Sequence, residues 1–262
     1  MKGLVLDLEV HDWDRFEVWG YGGKFEIEGV KKMKITDRDI KILGWILEQK
    51  FMTERQVRKV FWKDLTKDNR EAYRRLNKLK KARFLKTNKT QMYRSAMYLV
   101  TRKGVEELKR SNRNSGLGEL AEVGYSNYKH DLAVTDIRIM LYESGYTNWV
   151  SERVLSKRND LRRVPDGMIY HRGKYLAIEY ESSQKSKDRY RKIFLDYYLD
   201  NHVDRVLYIV STPELADKIL RMTIDSKPYF VSYEDLSKDL INVLLKHKSH
   251  GYTLRELLES NS

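Results

Sequence analysis

Two hydrophobic patterns divide the chain. Between residues 31 and 110, apolar residues recur every three or four positions, which is the spacing of amphipathic helices. This spacing predicts helices after Thr36, after Thr53 and over 68–82, then strands over 83–87 and 96–100, then a helix from Thr101. From residue 117 onward, helical stretches alternate with short apolar runs that are typical of buried strands. We therefore expect a helical first half and an α/β second half.

The second half is predicted to follow the order helix, strand, strand, strand, helix, strand, helix, strand. The segments are 128–145, 149–155, 164–170, 174–181, 185–200, 204–211, 214–224 and 229–236. This order predicts a three-layer α/β fold, with helices on both sides of one sheet. The expected domains are a small acidic β appendage over 1–30, a helical domain over 31–112, the α/β domain over 117–245 and a tail or helix over 246–262.

The positive charge of the chain is concentrated in the helical segment. The whole chain carries a formal net charge of +13. Residues 31–110 alone hold 25 Lys and Arg against 9 Asp and Glu, a net charge of +16. Such a local excess is typical of a module that binds a polyanion, although a solvated basic surface without a ligand is the alternative.

Composition excludes several other classes of protein. The chain has no cysteine, so it has neither disulfides nor a thiolate site. No run approaches the roughly 18 apolar residues of a membrane span, and the acids of the first 17 residues argue against a signal peptide. We therefore expect a cytoplasmic protein with no membrane partner, and no motif points to a small-molecule substrate.

The order of elements in the basic segment resembles a winged helix-turn-helix. Three helices, a β-hairpin and a closing helix follow one another, and the third helix is rich in Lys and Arg. The resemblance implies that the third helix enters the major groove of double-stranded DNA while the hairpin touches backbone phosphates. The residues expected to contact DNA are Arg70, Arg74, Arg75, Lys78, Lys81, Lys89 and Arg94.

The α/β half resembles the PD-(D/E)xK nuclease fold over about residues 125–235. Asp166 follows a proline, and Glu179 and Glu181 lie two residues apart on the next predicted strand, on the same face as Ala177. In that family such acids hold Mg²⁺ or Mn²⁺, and a lysine helps to activate water. The resemblance therefore implies Asp166, Glu179 and Glu181 as metal ligands and catalytic residues. Glu181 stands where the family has its lysine, and Lys185 is the candidate substitute.

A second resemblance spans both halves, over roughly residues 35–235. The predicted winged helix is followed by a helix that opens with His130 and Asp131, then by an Arg-x-Pro-Asp-Gly corner at 163–167, the acid pair and an aromatic-rich helix. This order is similar to the replication-relaxation proteins of plasmids and integrative elements. The resemblance implies DNA as a partner and a role in plasmid replication or mobilisation.

The residues leave simpler interpretations open. Pro-Asp-Gly is also a common turn sequence, and Glu179 and Glu181 could pair with nearby arginines in a structural ion cluster. Two functions follow. The first is a DNA-binding protein whose second domain is a nuclease-like scaffold, and the second is a Mg²⁺-dependent endonuclease that cleaves or nicks DNA. A homodimer is compatible with either function.

Overall fold

A computed structural model describes residues 16–20, 23–27, 33–62, 70–90, 93–124, 126–223, 227–248 and 251–259, with the backbone alone at 16–20, 23–27, 89–90 and 93–94. The chain divides into two compact units, Met1–Thr36 and Asp37–Ser262. In the first unit, β1 (Phe16–Gly20) pairs antiparallel with β2 (Gly23–Ile27), as the alternation of this segment predicts. The domain boundary expected between 112 and 117 falls inside the second unit and stays a prediction.

The second unit is a mixture of helices and strands. In chain order its elements are α1 (Asp37–Glu48), β3 (Met52–Thr53), α2 (Glu54–Phe61), α3 (Arg70–Lys81), β4 (Leu85–Thr90), β5 (Tyr93–Val100), α4 (Arg102–Arg110), α5 (Tyr128–Glu143), β6 (Trp149–Ser151), α6 (Glu152–Leu155), β7 (Gly167–His171), β8 (Lys174–Glu181), α7 (Lys187–Tyr198), β9 (Arg205–Val210), α8 (Pro213–Leu220), β10 (Pro228–Ser232), α9 (Tyr233–Lys238), β11 (Leu244–Leu245), β12 (Tyr252–Thr253) and α10 (Leu254–Glu259). No helix in the described ranges is long and apolar enough to cross a membrane.

The helical half of this unit consists of α1 to α4 and a small sheet with strand order β3–β5–β4. Thr53 starts α2 with a capping box, in which the Thr53 hydroxyl accepts a hydrogen bond from the backbone N–H of Gln56, and the Gln56 side chain accepts one from the backbone N–H of Thr53. The first hairpin strand begins at Leu85, two residues later than predicted, and both strands extend further toward the turn, because backbone pairing runs from Leu85 opposite Val100 to Thr90 opposite Tyr93.

The α/β half is built on a five-stranded sheet with strand order β10–β9–β8–β7–β6. Strands β10, β9 and β8 are parallel, whereas β7 runs antiparallel to both of its neighbours, β8 and β6. Gly167 at the start of β7 pairs with Ile178 of β8. This register brings the residue before the strand, Asp166, beside Glu179.

Helices cover both faces of the sheet, as the predicted order of elements requires. Alternate strand residues such as Ile178 and Leu207 pack with α5, α9 and α10 on one face. Their neighbours Ala177, Val206 and Tyr208 pack with α7 and α8 on the other face. Glu179 and Glu181 share the face of Ala177, so the two acids point toward α7.

Two predicted strands are too long. The segment 149–155 forms a strand only to Ser151, and Glu152 to Leu155 form the short helix α6. Ser151 pairs with Gly167, the first residue of β7, so β6 has no partner strand beyond that point. The segment 229–236 likewise changes from strand to helix after Ser232, whose hydroxyl caps α9.

The two halves of the second unit share apolar and polar contacts. One apolar cluster combines Phe51, Met97 and Leu99 of the helical half with Val123, which precedes α5, and Tyr128, its first residue. Helix α2 also packs against α5. The helical half is therefore in direct contact with the first helix of the α/β half.

Candidate functional site

Helix α3 has one buried face and one strongly basic face. Ala72, Leu76 and Leu79 are buried, at the three- and four-residue spacing that the sequence indicates. The exposed side chains on the remaining surface include the cations Arg70, Arg74, Lys78, Lys80 and Lys81 and the aromatic ring of Tyr73. We refer to these five cations as the α3 basic face. The exposed surface also includes the acid Glu71, so five cations stand against one carboxylate on this helix.

Arg75 has a different environment from the α3 basic face. Its guanidinium donates two hydrogen bonds to the carboxylate of Asp39 in α1, one of them 2.7 Å long from Nε to Oδ1. Asp39 is fully buried, and the Arg75 side chain is mostly buried. The hydrogen bonds with Asp39 raise the pKa of Arg75. The structure therefore gives Arg75 an internal partner that fixes α3 against α1.

The remaining two residues expected to contact DNA belong to the β4–β5 hairpin. The backbone at Lys89 and Arg94 is part of the two strands, whereas their side chains lie outside the described part of the chain. Their expected contact with DNA phosphates stays a prediction.

Asp166 lies directly before the first residue of β7, which is an inner strand of the five-stranded sheet. Its Oδ2 accepts a hydrogen bond of 2.8 Å from the backbone N–H of Tyr180 and lies 3.2 Å from Nε2 of His130 in α5. Burial alone would lower the pKa of His130, but hydrogen bonds with Asp131 and Asp166 and their charges raise it to about 10. His130 is therefore a cation at neutral pH, and its positive charge balances the negative charge of Asp166.

Glu179 is held by an arginine and a tyrosine. Its Oε1 accepts a hydrogen bond of 2.8 Å from Nε of Arg163 and one of 2.5 Å from the hydroxyl of Tyr197 in α7. Burial and the charge of Asp166 raise the pKa of Glu179, whereas Arg163 and Tyr197 act in the opposite direction. The sequence suggests Tyr197 as a core residue only, because nothing in its spacing indicates a partner on β8.

Glu181 and Lys185 form a second internal pair. The ammonium of Lys185 donates to Oε2 of Glu181, whose side chain is almost completely buried. Burial lowers the pKa of Lys185, while the nearby charge of Glu179 raises it. Two of the four residues predicted to be catalytic, Glu181 and Lys185, are therefore brought together as an ion pair.

A fourth cation enters this region from the helical half. Nζ of Lys50, just beyond α1, lies 2.8 Å from Oδ1 of Asp131 and 2.8 Å from Oε2 of Glu152. Together with His130 and Asp166, these residues line one small cavity. No sequence motif marks Lys50, because its role depends on how the two halves pack. We call the acids Asp131, Glu152, Asp166, Glu179 and Glu181 the acid cluster.

The acid cluster does not fit a Mg²⁺ or Mn²⁺ ion as it is arranged. A divalent cation of this kind needs several free carboxylate or carbonyl oxygens around one point. Here the acids already form ion pairs with four cations, Arg163, Lys185, His130 and Lys50. Within the described ranges, no three His, Asp or Glu side chains form a group that could hold a metal ion. The structural ion cluster, which the sequence left open, describes this arrangement better.

Comparison with known proteins gives one result. No curated protein and no solved structure matches this chain. The family model described as replication-relaxation matches residues 43–201, which is more than half of the chain and covers both α3 and most of the acid cluster's sheet. The chain therefore belongs to the replication-relaxation family.

Proposed function

We propose that this chain is a DNA-binding protein of plasmid or mobile-element replication or mobilisation. Membership of the replication-relaxation family indicates a replication-related function. In the proposal, the helical half is a winged helix, α3 enters the major groove of duplex DNA, and the β4–β5 hairpin contacts the backbone. The order of α1 to α4 and the small sheet supports this interpretation.

The α3 basic face is the observation that carries the proposal. Five cations are exposed along a helix of 12 residues, and its apolar residues are buried on the opposite side. Two of these cations, Arg74 and Lys78, are four residues apart and lie on one face of the helix. A helix of this kind provides several phosphate contacts without rearrangement of the core.

The α/β half is proposed as a PD-(D/E)xK-like scaffold. The strand order and the register that brings Asp166 beside Glu179 support the likeness. The internal pairing of the acid cluster favours a role in structure over a role in cleavage, because each carboxylate would have to lose its cation before it could bind a metal.

Fluorescence anisotropy with a labelled duplex tests the proposal. The wild-type chain should bind duplex DNA in EDTA, because the proposed contacts need no metal ion. Replacing Arg74 and Lys78 with Glu should abolish binding, because the charges that attract phosphates are reversed. Absence of duplex binding by the folded wild-type chain would refute the proposal.

An Mg²⁺-dependent endonuclease is the second candidate, and the position of Asp166 beside Glu179 is the observation that favours it. Incubation with supercoiled plasmid in Mg²⁺ or Mn²⁺ separates the two functions. Nicking that disappears in both Asp166→Ala and Glu179→Ala would establish the enzyme. Tight duplex binding without nicking would support the scaffold.

A further inference from the structure

Helix α3 carries a single amide side chain among its cations. Its sequence, REAYRRLNKLKK, contains one Asn, Asn77, and no Gln. Asn77 is half-buried, and it lies three or four positions from the exposed residues Tyr73, Arg74, Lys80 and Lys81. These four residues are therefore its neighbours on the helix surface. A short amide thus lies within the α3 basic face, surrounded by longer side chains.

The Asn77 amide extends from a firmly held part of the helix. The preceding residues anchor this turn, because Leu76 is fully buried and Arg75 bonds to Asp39 of α1. In the described part of the chain, no group forms a hydrogen bond with the amide itself. An Asn side chain has fewer rotatable bonds than Lys or Arg, so it loses less conformational entropy in a contact. The position therefore suits a hydrogen bond that requires exact geometry.

An amide differs chemically from the cations around it. Lys and Arg side chains only donate hydrogen bonds, whereas an Asn amide both donates and accepts. A DNA phosphate offers acceptors only, so it would leave the amide oxygen without a donor. Adenine presents a donor, N6–H, beside an acceptor, N7, in the major groove, and an Asn side chain can bond to both at once. Among the groups that duplex DNA exposes in this groove, adenine is the partner that uses both ends of the amide.

We propose that Asn77 recognises an adenine base in the major groove and makes the binding of duplex DNA sequence-dependent. This inference rests on the proposed function, in which α3 enters that groove. Nδ2 of Asn77 donates to N7 of the adenine, and Oδ1 accepts from its N6–H. The cations of the α3 basic face bind phosphates and position the helix, but they do not distinguish one sequence from another.

Selection from a pool of random-sequence duplexes gives the first test. The full wild-type chain should enrich duplexes that have adenine at one fixed position. Asn77→Ala should lose the preference at that position alone, because only the amide is removed. Lys80→Ala is the control on the same helix and should weaken binding to all duplexes without changing the preference. Alanine is favourable in helices, and circular dichroism checks that both variants are folded.

An altered base gives the second test. In 7-deaza-adenine a C–H group replaces N7, so the base loses the acceptor for the amide N–H. At the preferred position of the selected duplex, this base should reduce the affinity of the wild-type chain about tenfold in fluorescence anisotropy. Asn77→Ala should bind the altered and unaltered duplexes equally. The same base at a position without any preference is the control and should change neither affinity.

Binding of the pool without a preference for adenine at any position would overturn the inference and leave the proposed function intact. The same holds for an adenine preference that survives Asn77→Ala, and for an equal effect of 7-deaza-adenine on the wild-type chain and on Asn77→Ala. A folded wild-type chain that binds no duplex would refute the proposed function, and this inference with it.

Discussion

Each acid of the acid cluster is paired with a cationic side chain, and Asp166 also accepts a hydrogen bond from the backbone N–H of Tyr180. Arg163 pairs with Glu179, Lys185 pairs with Glu181, and His130 pairs with Asp166. Removing a buried ion from water is costly, and a buried acid that loses its partner is more costly still. At the residue scale, the cluster is therefore stable only while its cations are present.

Arg163→Met tests this statement. The substitution leaves Glu179 buried with Tyr197 as its remaining donor, so we expect the free energy of unfolding to fall by about 3 kcal/mol. Adding Glu179→Met should restore much of the loss, because a pair of apolar side chains has no charge to bury. Urea denaturation measures both effects. A loss below about 0.5 kcal/mol for Arg163→Met would contradict the account.

His130 predicts a pH dependence of stability. Its pKa is raised from 6.5 to about 10 in the folded chain. A raised pKa stabilises the fold fully below the unfolded value and loses this effect as the pH rises through the folded value. The melting temperature of the wild-type chain should therefore fall between pH 7 and pH 10. In His130→Gln this fall should be smaller, and an identical fall would argue against the ion pair.

Substitution of Arg75 tests whether this residue contributes to the stability of the fold and not to DNA binding. Arg75→Ala leaves the fully buried Asp39 without its guanidinium partner, and we expect a loss of about 3 kcal/mol in the free energy of unfolding. The effect on DNA affinity of the folded variant should be smaller than that of Arg74→Ala, which changes an exposed residue. The opposite ranking in an anisotropy titration would show that Arg75 contacts DNA.

At the scale of elements, the joint between α1 and α5 is held by a lysine in an unusual conformation. Lys50 has a φ of +71°, in the left-handed region that favours glycine at a helix end. Its ammonium bonds to Asp131 and Glu152, which offset the backbone cost. The position therefore combines a local strain with a contact between the two halves.

Two substitutions of Lys50 distinguish the cost of its positive φ from the loss of its ion pairs. Both Lys50→Ala and Lys50→Gly remove the ammonium, but only glycine relieves the backbone strain. Lys50→Ala should therefore be the less stable variant, by about 1 kcal/mol. Thermal unfolding measures the difference. Equal stability of the two variants would mean that the positive φ carries no cost.

An element could be predicted from the sequence where the residues that cause it lie close together in the chain. Thr53 and Ala72, Leu76 and Leu79 are recognisable in the sequence, because a cap and an apolar stripe depend on residues a few positions apart. The short helix α6 is not predictable, because it depends on where β7 begins. The pairs of Arg75 with Asp39 and of Lys50 with Asp131 join residues 36 and 81 positions apart, so no local pattern indicates them.

At the scale of the whole molecule, the α3 basic face and the acid cluster belong to one compact unit. The cations of the α3 basic face are exposed, whereas those of the acid cluster are paired with internal acids. In the proposed function, the exposed positive charge of α3 attracts DNA phosphates, and the paired charges of the acid cluster stabilise the fold.

The salt dependence of duplex binding tests this account most directly. The slope of log K against log salt should fall by about 1.8 in magnitude for Arg74→Ala/Lys78→Ala, because each lost phosphate contact removes about 0.9. Lys218→Ala/Arg221→Ala removes two exposed cations near the end of α8 and should leave the slope unchanged. An unchanged slope in the α3 variant, or an equal fall in the α8 control, would contradict the assignment of α3 as the surface that binds DNA.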